Sequence, residues 1–170
     1  MPNWFTTEIT QGMRTLEDRT AGLEILQKSI RALQSEEDVS ILDVGCAEGL
    51  ISDWITMGKP SKLLGIEGDL DKVNAANQIF SKQVSASKYE FLYADASNLS
   101  TLLKDRQFDV VLLLAILQKL NDPIACLKSA KAAATKFIAI RAPEYFWTEH
   151  RKTIHKLSLI HISEPTRRYA

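Results

Sequence analysis

Hydrophobic and polar positions change period along this chain. From Gln11 to Gln34, Leu16, Leu23, Leu26, Ile30 and Leu33 recur at helical spacing, with Arg14, Glu17, Glu24, Lys28 and Arg31 on the opposite face. That spacing predicts one amphipathic helix over about 11–34. Ser35-Glu36-Glu37-Asp38 is a polar break, and short apolar runs then alternate with amphipathic stretches. Strands are predicted at Val39–Val44, Lys62–Glu67, Tyr89–Ala94, Phe108–Ala115 and Thr135–Ile140. Helices are predicted at Gly49–Met57, from Asp69 with Leu70, Val73, Ala76, Phe80 and Val84 on one stripe, at Asn98–Lys104, and at Ile124–Ala134 after the Asn121-Asp122-Pro123 cap. The run from Phe108 is apolar almost throughout, as in a strand covered on both faces. Five alternations with short connections predict an α/β fold, a parallel sheet with right-handed crossovers and helices on both faces.

Composition narrows the function classes. The 170 residues are 45% apolar and 25% charged, one globular domain's worth. Lys+Arg and Asp+Glu are both 21, so net charge gives no case for wrapping nucleic acid or lying on an anionic membrane. Cys46 and Cys126 are the two cysteines; they form neither a disulfide framework nor a zinc ligand set and suit a reducing compartment. The apolar run Val110–Leu117 is too short to span a bilayer. The start Met1-Pro2-Asn3-Trp4-Phe5 lacks a secretory signal's basic and apolar regions. The expectation is a soluble, cytoplasmic domain with no metal and no membrane partner.

Ligands of open parallel sheets bind beyond the carboxyl ends of the strands. The first strand ends in Ile41-Leu42-Asp43-Val44-Gly45-Cys46-Ala47-Glu48-Gly49. Small residues at Gly45, Ala47 and Gly49 let the backbone turn sharply and approach a ligand closely. The dinucleotide pattern G-x-G-x-x-G, begun at Gly45, needs glycine at 47 and 50, where the chain has Ala47 and Leu50. The alternative D-x-G-x-G-x-G is met by Asp43, Gly45 and Gly49, with Ala47 the one departure. Further strand ends carry Gly65-Ile66-Glu67-Gly68-Asp69, Tyr93-Ala94-Asp95-Ala96 and the segment from Phe108 to Leu120.

With these four tracts in order, the chain resembles the class I S-adenosylmethionine-dependent methyltransferases over roughly Gly22 to Ala142. The resemblance implies a Rossmann-like sheet in strand order 3-2-1-4-5, with the family's final β hairpin missing here. It implies S-adenosyl-L-methionine as cofactor, Glu67 on the two ribose hydroxyls and Asp95 on the adenine amino group. The implied cofactor contacts are Asp43, Gly45, Cys46, Ala47, Gly49, Glu67, Gly68, Asp95 and Ala96, with Leu114 and Ala115 lining the pocket. Many relatives have histidine where this chain has Gln118, so any role of that histidine is unfilled. The cofactor carries a sulfonium cation and no phosphate, which suits a close-approaching loop and acidic side chains. No general base is apparent; the protein's main task would be positioning.

The implied activity is methyl transfer to an acceptor, small molecule, RNA or protein, that the sequence does not identify. Two other readings stand beside it: a non-catalytic S-adenosylmethionine-binding partner subunit, and a nicotinamide-dependent oxidoreductase, against which the failed G-x-G-x-x-G counts. Glu48 reads as a solvent-facing acid at a helix start, Cys46 as filling a small slot, and Cys126 as core. His150 and His155 are spaced wrongly to share a metal on one helix face. Arg141 to Lys152 mixes aromatic and basic residues and reads foremost as an amphipathic helix, with acceptor binding the alternative; Trp4 and Phe5 read equally as a cover over the cofactor and as part of a disordered N-terminus. Leu157 to Arg167 resembles a translated sequencing adapter. That resemblance implies a methyltransferase domain over 1–156, with its cofactor-binding core at about 39–142, and a non-native tail over 157–170.

Overall fold

The computed structural model describes Thr20, residues 22–83 and residues 86–142. The predicted helix before residue 20, the aromatic and basic stretch from Pro143, the histidines and the tail from Leu157 lie outside the described residues. Among the described residues, five helices and five strands follow in order: α1 Glu24–Gln34, β1 Ser40–Val44, α2 Leu50–Thr56, β2 Lys62–Glu67, α3 Leu70–Phe80, β3 Tyr89–Tyr93, α4 Leu99–Leu103, β4 Phe108–Leu114, α5 Pro123–Ala133 and β5 Ala134–Arg141. Short 3-10 turns occupy Ala86–Lys88, Ala96–Asn98 and Leu117–Lys119. The expectation of one uninterrupted helix over 11–34 is corrected: a turn at Gly22, φ +81°, precedes α1. Glycine adopts that left-handed backbone without steric penalty, so the apolar spacing runs on in the sequence although the helix does not.

All five strands are parallel, in spatial order β3-β2-β1-β4-β5. The alternation of side chains along each strand divides the core into two layers. Ile41, Leu63, Val110 and Leu112 face Leu26, Ile30, Ile55, Val73, Ala76 and Phe80 of α1, α2 and α3. Leu42, Val44, Leu64, Ile66, Val111 and Leu113 face Leu99, Leu103, Leu127 and Ala130 of α4 and α5. Residues Ile41, Leu42 and Val110–Leu113 are wholly buried; each such side chain contributes up to about 1.5–3 kcal/mol by leaving water.

Caps fix where the helices start. The Asp69 carboxylate accepts from the amides of Asp71 at 3.1 Å and Lys72 at 3.4 Å to open α3. Asp122 accepts from Ala125 N at 2.9 Å to open α5, with Pro123 as its first residue. At the amino-terminal edge of the sheet, Asp109 Oδ2 accepts from Ser40 N at 2.8 Å and Ser40 Oγ at 2.6 Å, and Asp109 Oδ1 accepts from Thr135 Oγ1 at 3.3 Å. One carboxylate thus ties β1, β4 and β5 together. The opposite, carboxyl-terminal edge is left to the loops. There the chain moves from β1 to β2 on one side and reaches β4 on the other, which opens a crevice above β1.

Candidate functional site

A cavity of about 390 Å³ lies at that crevice, lined by Gly45, Ile66, Glu67, Gly68, Tyr93, Asp95, Ala96, Ile116 and Leu120. The loop after β1 forms its floor. Gly45 N donates to Ile66 O at 2.7 Å, which holds the loop against the end of β2. Gly45 has φ +79°, and a Cβ there would lie 2.9 Å from Ile116 Cδ1. Gly49 has φ +76°, and its Cβ would lie 2.6 Å from the Phe91 ring. Both positions therefore require glycine, Gly45 against the far cavity wall and Gly49 against the core beneath the loop. Gly68 differs: a Cβ there would meet only Ala94 O, at 3.9 Å.

Glu67 ends β2, and backbone amides fix its carboxylate from two sides. Ala47 N donates to Oε2 at 2.8 Å and Asp69 N donates to Oε1 at 3.1 Å. Each oxygen keeps acceptor capacity for one more donor, so the group is held ready to take two donors side by side. Ala47 reaches Glu67 with φ +50°, a left-handed backbone that is uncommon for alanine. The loop thus takes the shape that glycine would give in D-x-G-x-G-x-G.

Asp95 follows β3 and accepts from Ser97 N at 2.8 Å, capping the Ala96–Asn98 turn. The Ser97 backbone and hydroxyl hold its carboxyl below the usual carboxylate range. Its capping bond and its place on the cavity are compatible, since one oxygen suffices for the cap. Tyr93, the register partner of Glu67, stands 60% exposed on the cavity rim. Two carboxylates therefore face the cavity, and among the described residues no Lys or Arg lines it.

The other expected contacts sit just behind this surface. Asp43 is buried, and its carboxylate accepts from the Ser52 hydroxyl of α2. Cys46 packs in the layer with Phe80 and Phe91, and burial, followed by the Asp43 and Glu67 charges, pushes its thiol far above the ordinary value. It holds a proton at neutral pH and is no nucleophile. Cys126 is core as expected, its thiol pushed up to about 11 by burial. Leu114 packs on the α1 side of the sheet; Ala115 is exposed, with φ +64° and its amide donating to Arg141 O at 2.7 Å. Neither Leu114 nor Ala115 is among the residues lining the cavity. The expectation that Glu48 faces solvent is corrected: it is 8% exposed, because the tight Gly45–Gly49 loop turns it inward.

Four cavity residues had no place among the sequence-derived candidates: Ile66, Tyr93, Ile116 and Leu120. Tyr93 directly precedes Ala94-Asp95, and Ile116 and Leu120 are four apart after β4. That spacing marks one face of a turn once a turn is known to be there. No group of three or more His, Cys, Asp and Glu among the described residues could hold a metal ion. Among the same residues, no helix is long and apolar enough to cross a membrane.

A sheet in this order with its cavity above β1 defines a Rossmann-like α/β protein. The family model described as "Methyltransferase domain" matches residues 35–158, and the chain belongs to that family. It is similar to the mitochondrial ubiquinone biosynthesis O-methyltransferase of Dictyostelium discoideum, 23% identical over 93 residues that cover 51% of this chain and 29% of that protein. The chain thus spans less than a third of that curated relative's length. Among solved structures it is similar to magnesium protoporphyrin IX methyltransferase from Synechocystis PCC 6803 with bound SAM. That match has a TM-score of 0.61 at 16% identity and covers 76% of this chain and 61% of the other. It is also similar to the plantazolicin methyltransferase BamL in complex with a triazolic desmethylPZN analog and SAH, with a TM-score of 0.60, 17% identity and coverage of 79% and 50%. It is similar as well to the [4+2]-cyclase SpnF, with a TM-score of 0.58 at 18% identity, covering 72% of this chain and 45% of the other. Likeness at these identities establishes the shared fold; activity is argued from the site.

Proposed function

We propose that this chain binds S-adenosyl-L-methionine and serves methyl transfer to a small organic acceptor. The observation that carries the reading is the Glu67 carboxylate, fixed by Ala47 N and Asp69 N within a cavity that no basic residue among the described ones lines. A vicinal diol supplies the two donors this carboxylate can take. The two carboxylates, with no Lys or Arg among the described lining residues, favour a cationic ligand over one bearing phosphates. Gly68 leaves the open space that a close-lying ligand needs.

In this reading Glu67 accepts from both ribose hydroxyls, and Asp95, with Ala96 beside it, meets the amino group of the base. Gly45, Gly68, Ile66, Tyr93, Ile116 and Leu120 supply the walls. Asp43, Cys46, Ala47 and Gly49 shape the loop from behind: Asp43 through Ser52, Ala47 through Glu67, Gly49 and Cys46 through packing. Leu114 and Ala115 set the path of the chain out of β4 and so place Ile116. Held by Glu67 and Asp95, the cofactor would supply a methyl already activated on sulfur. The chain's own work is to orient the donor and exclude water, which requires no base at the cavity. The methyltransferases similar to this chain are named for ubiquinone biosynthesis, magnesium protoporphyrin IX and plantazolicin, which supports an organic small molecule as acceptor. The two free, buried cysteines support a reducing compartment such as the cytoplasm.

Calorimetric titration of Glu67→Ala with S-adenosylhomocysteine tests the assignment. Charge-assisted hydrogen bonds contribute about 1.5–3 kcal/mol each, so the variant is expected to bind at least about tenfold more weakly. Equal affinity in variant and parent would remove Glu67 from the site.

A further inference from the structure

Helix α2 begins without a cap of its own. Gly49 stands at its N-cap with φ +76° and gives the first turn no side-chain hydrogen bond. The helix is seven residues long, and an isolated helix of that length does not hold itself in water. Its start is held from neighbouring strands. Ser52 donates to Asp43 at the end of β1. Tyr89, the first residue of β3, donates from its hydroxyl to Asp53 Oδ1 at 2.7 Å. The Asp53 amide in turn donates to Gly49 O at 3.1 Å. The Tyr89 ring stacks on Phe80 with centroids 4.5 Å apart, and Phe80 lies 5.0 Å from Phe91, the ring that leaves no room for a Cβ at Gly49. Strand β3 thus meets the end of the β1–α2 loop twice, by a ring under Gly49 and by a hydroxyl one turn into the helix.

The polar tie is a costly way to fill space. Asp53 is half-buried, and burial pushes its carboxyl above the usual carboxylate range against the opposing pull of the Tyr89 hydrogen bond. Two apolar side chains would fill the same volume without that cost. A hydrogen bond, unlike apolar contact, fixes one arrangement of the two elements it joins. The loop needs such fixing. Gly45, Ala47 and Gly49 all have left-handed backbone, at φ +79°, +50° and +76°, and alanine adopts it only under constraint. In that conformation the Ala47 amide reaches Glu67 Oε2 at 2.8 Å. Released at its α2 end, the loop can relax toward ordinary alanine backbone and withdraw this donor. We propose that Tyr89 is a positioning residue for the cofactor site: through Asp53 it holds the start of α2, and so the Ala47 amide, against Glu67. Tyr89 does not itself line the cavity. The inference rests on the reading of Glu67 proposed above.

Two measurements on the full chain test it together: calorimetric titration with S-adenosylhomocysteine, and amide hydrogen exchange of the free protein. Both are made on the parent, Tyr89→Phe, Asp53→Ala and Asp53→Asn. Tyr89→Phe keeps the ring stack and removes only the hydroxyl. It is expected to bind about fivefold more weakly. Its Ala47 amide is expected to gain in exchange rate by a factor at least about fivefold larger than the Val111 amide of β4 does. Asp53→Ala should behave as Tyr89→Phe does, whereas Asp53→Asn, which keeps an oxygen for the Tyr89 hydroxyl, should recover most of the affinity and the protection. A merely structural loss leaves nearly every molecule folded, and so leaves the affinity unchanged; it also speeds exchange at Ala47 and Val111 alike. Either result overturns the proposal, as does an Asp53→Asn no better than Asp53→Ala. A parent that does not bind S-adenosylhomocysteine removes the reading of the site and this proposal with it. A parent that binds, beside an equally tight Tyr89→Phe, removes this proposal alone.

Discussion

Glycines at one edge of the sheet answer to different neighbours, and substitution separates them. Gly49→Val places a β-branched residue at φ +76° with its Cβ 2.6 Å from the Phe91 ring. Left-handed backbone costs about 1–2 kcal/mol and overpacking about 1–3 kcal/mol, so chemical denaturation should show a loss of about 2–5 kcal/mol. Gly68→Val meets only Ala94 O at 3.9 Å. Its stability should stay within about 0.5 kcal/mol of the parent, while affinity for S-adenosylhomocysteine falls at least about tenfold as the added group enters the ligand's space. Normal binding by Gly68→Val would place the ligand elsewhere. The sequence made this loop legible as a close-approach loop through its small residues. It could not say which glycine faces a ligand and which faces Phe91, because that depends on a ring from β3. The inward turn of Glu48 and the outward stance of Tyr93 were hidden for the same reason: both follow from packing between distant segments.

At the scale of elements, periodicity located every described strand and helix, since buried strands and one-sided helices each leave a period in the sequence. It failed where a backbone conformation interrupts a continuing pattern, at Gly22, and where an element is too short to show one, as in the Ala96–Asn98 and Leu117–Lys119 turns. The last of these carries or borders Ile116, Gln118 and Leu120, so the far wall of the cavity was the least legible part of the site. The amino-terminal edge, away from the cavity, depends on Asp109. Burial acts to raise its carboxyl, but the hydrogen bonds from Ser40, then Thr135 and the charge of Lys136, hold it below the usual range. A carboxyl with a depressed folded value stabilises the fold above its unfolded value, about 3.9, and loses that contribution as pH falls through the folded one. Asp109→Ala is expected to cost about 1–3 kcal/mol at neutral pH, and the gap between parent and variant should close as denaturation is followed below about pH 4. A gap independent of pH would mean that packing, and not the ionised carboxylate, joins β1, β4 and β5.

For the molecule as a whole, the alternation of elements indicated a parallel α/β sheet, and the resemblance of four strand-end tracts supplied the order in which the strands lie. The observed order, β3-β2-β1-β4-β5, brings the ends of β1, β2, β3 and β4 around one cavity, although their site residues are separated by up to 75 positions between Gly45 and Leu120. No local pattern could place Ile116 against Gly45; the topology does. The same topology would serve a dinucleotide, so the ligand is decided by chemistry: two carboxylates, no basic residue among the described lining, and small residues without the G-x-G-x-x-G spacing. The most direct measurement is calorimetric titration of the full chain with S-adenosylhomocysteine and, separately, with NAD. Saturable binding of S-adenosylhomocysteine with no heat from NAD is the predicted result; binding of NAD, or no binding of S-adenosylhomocysteine, would contradict it.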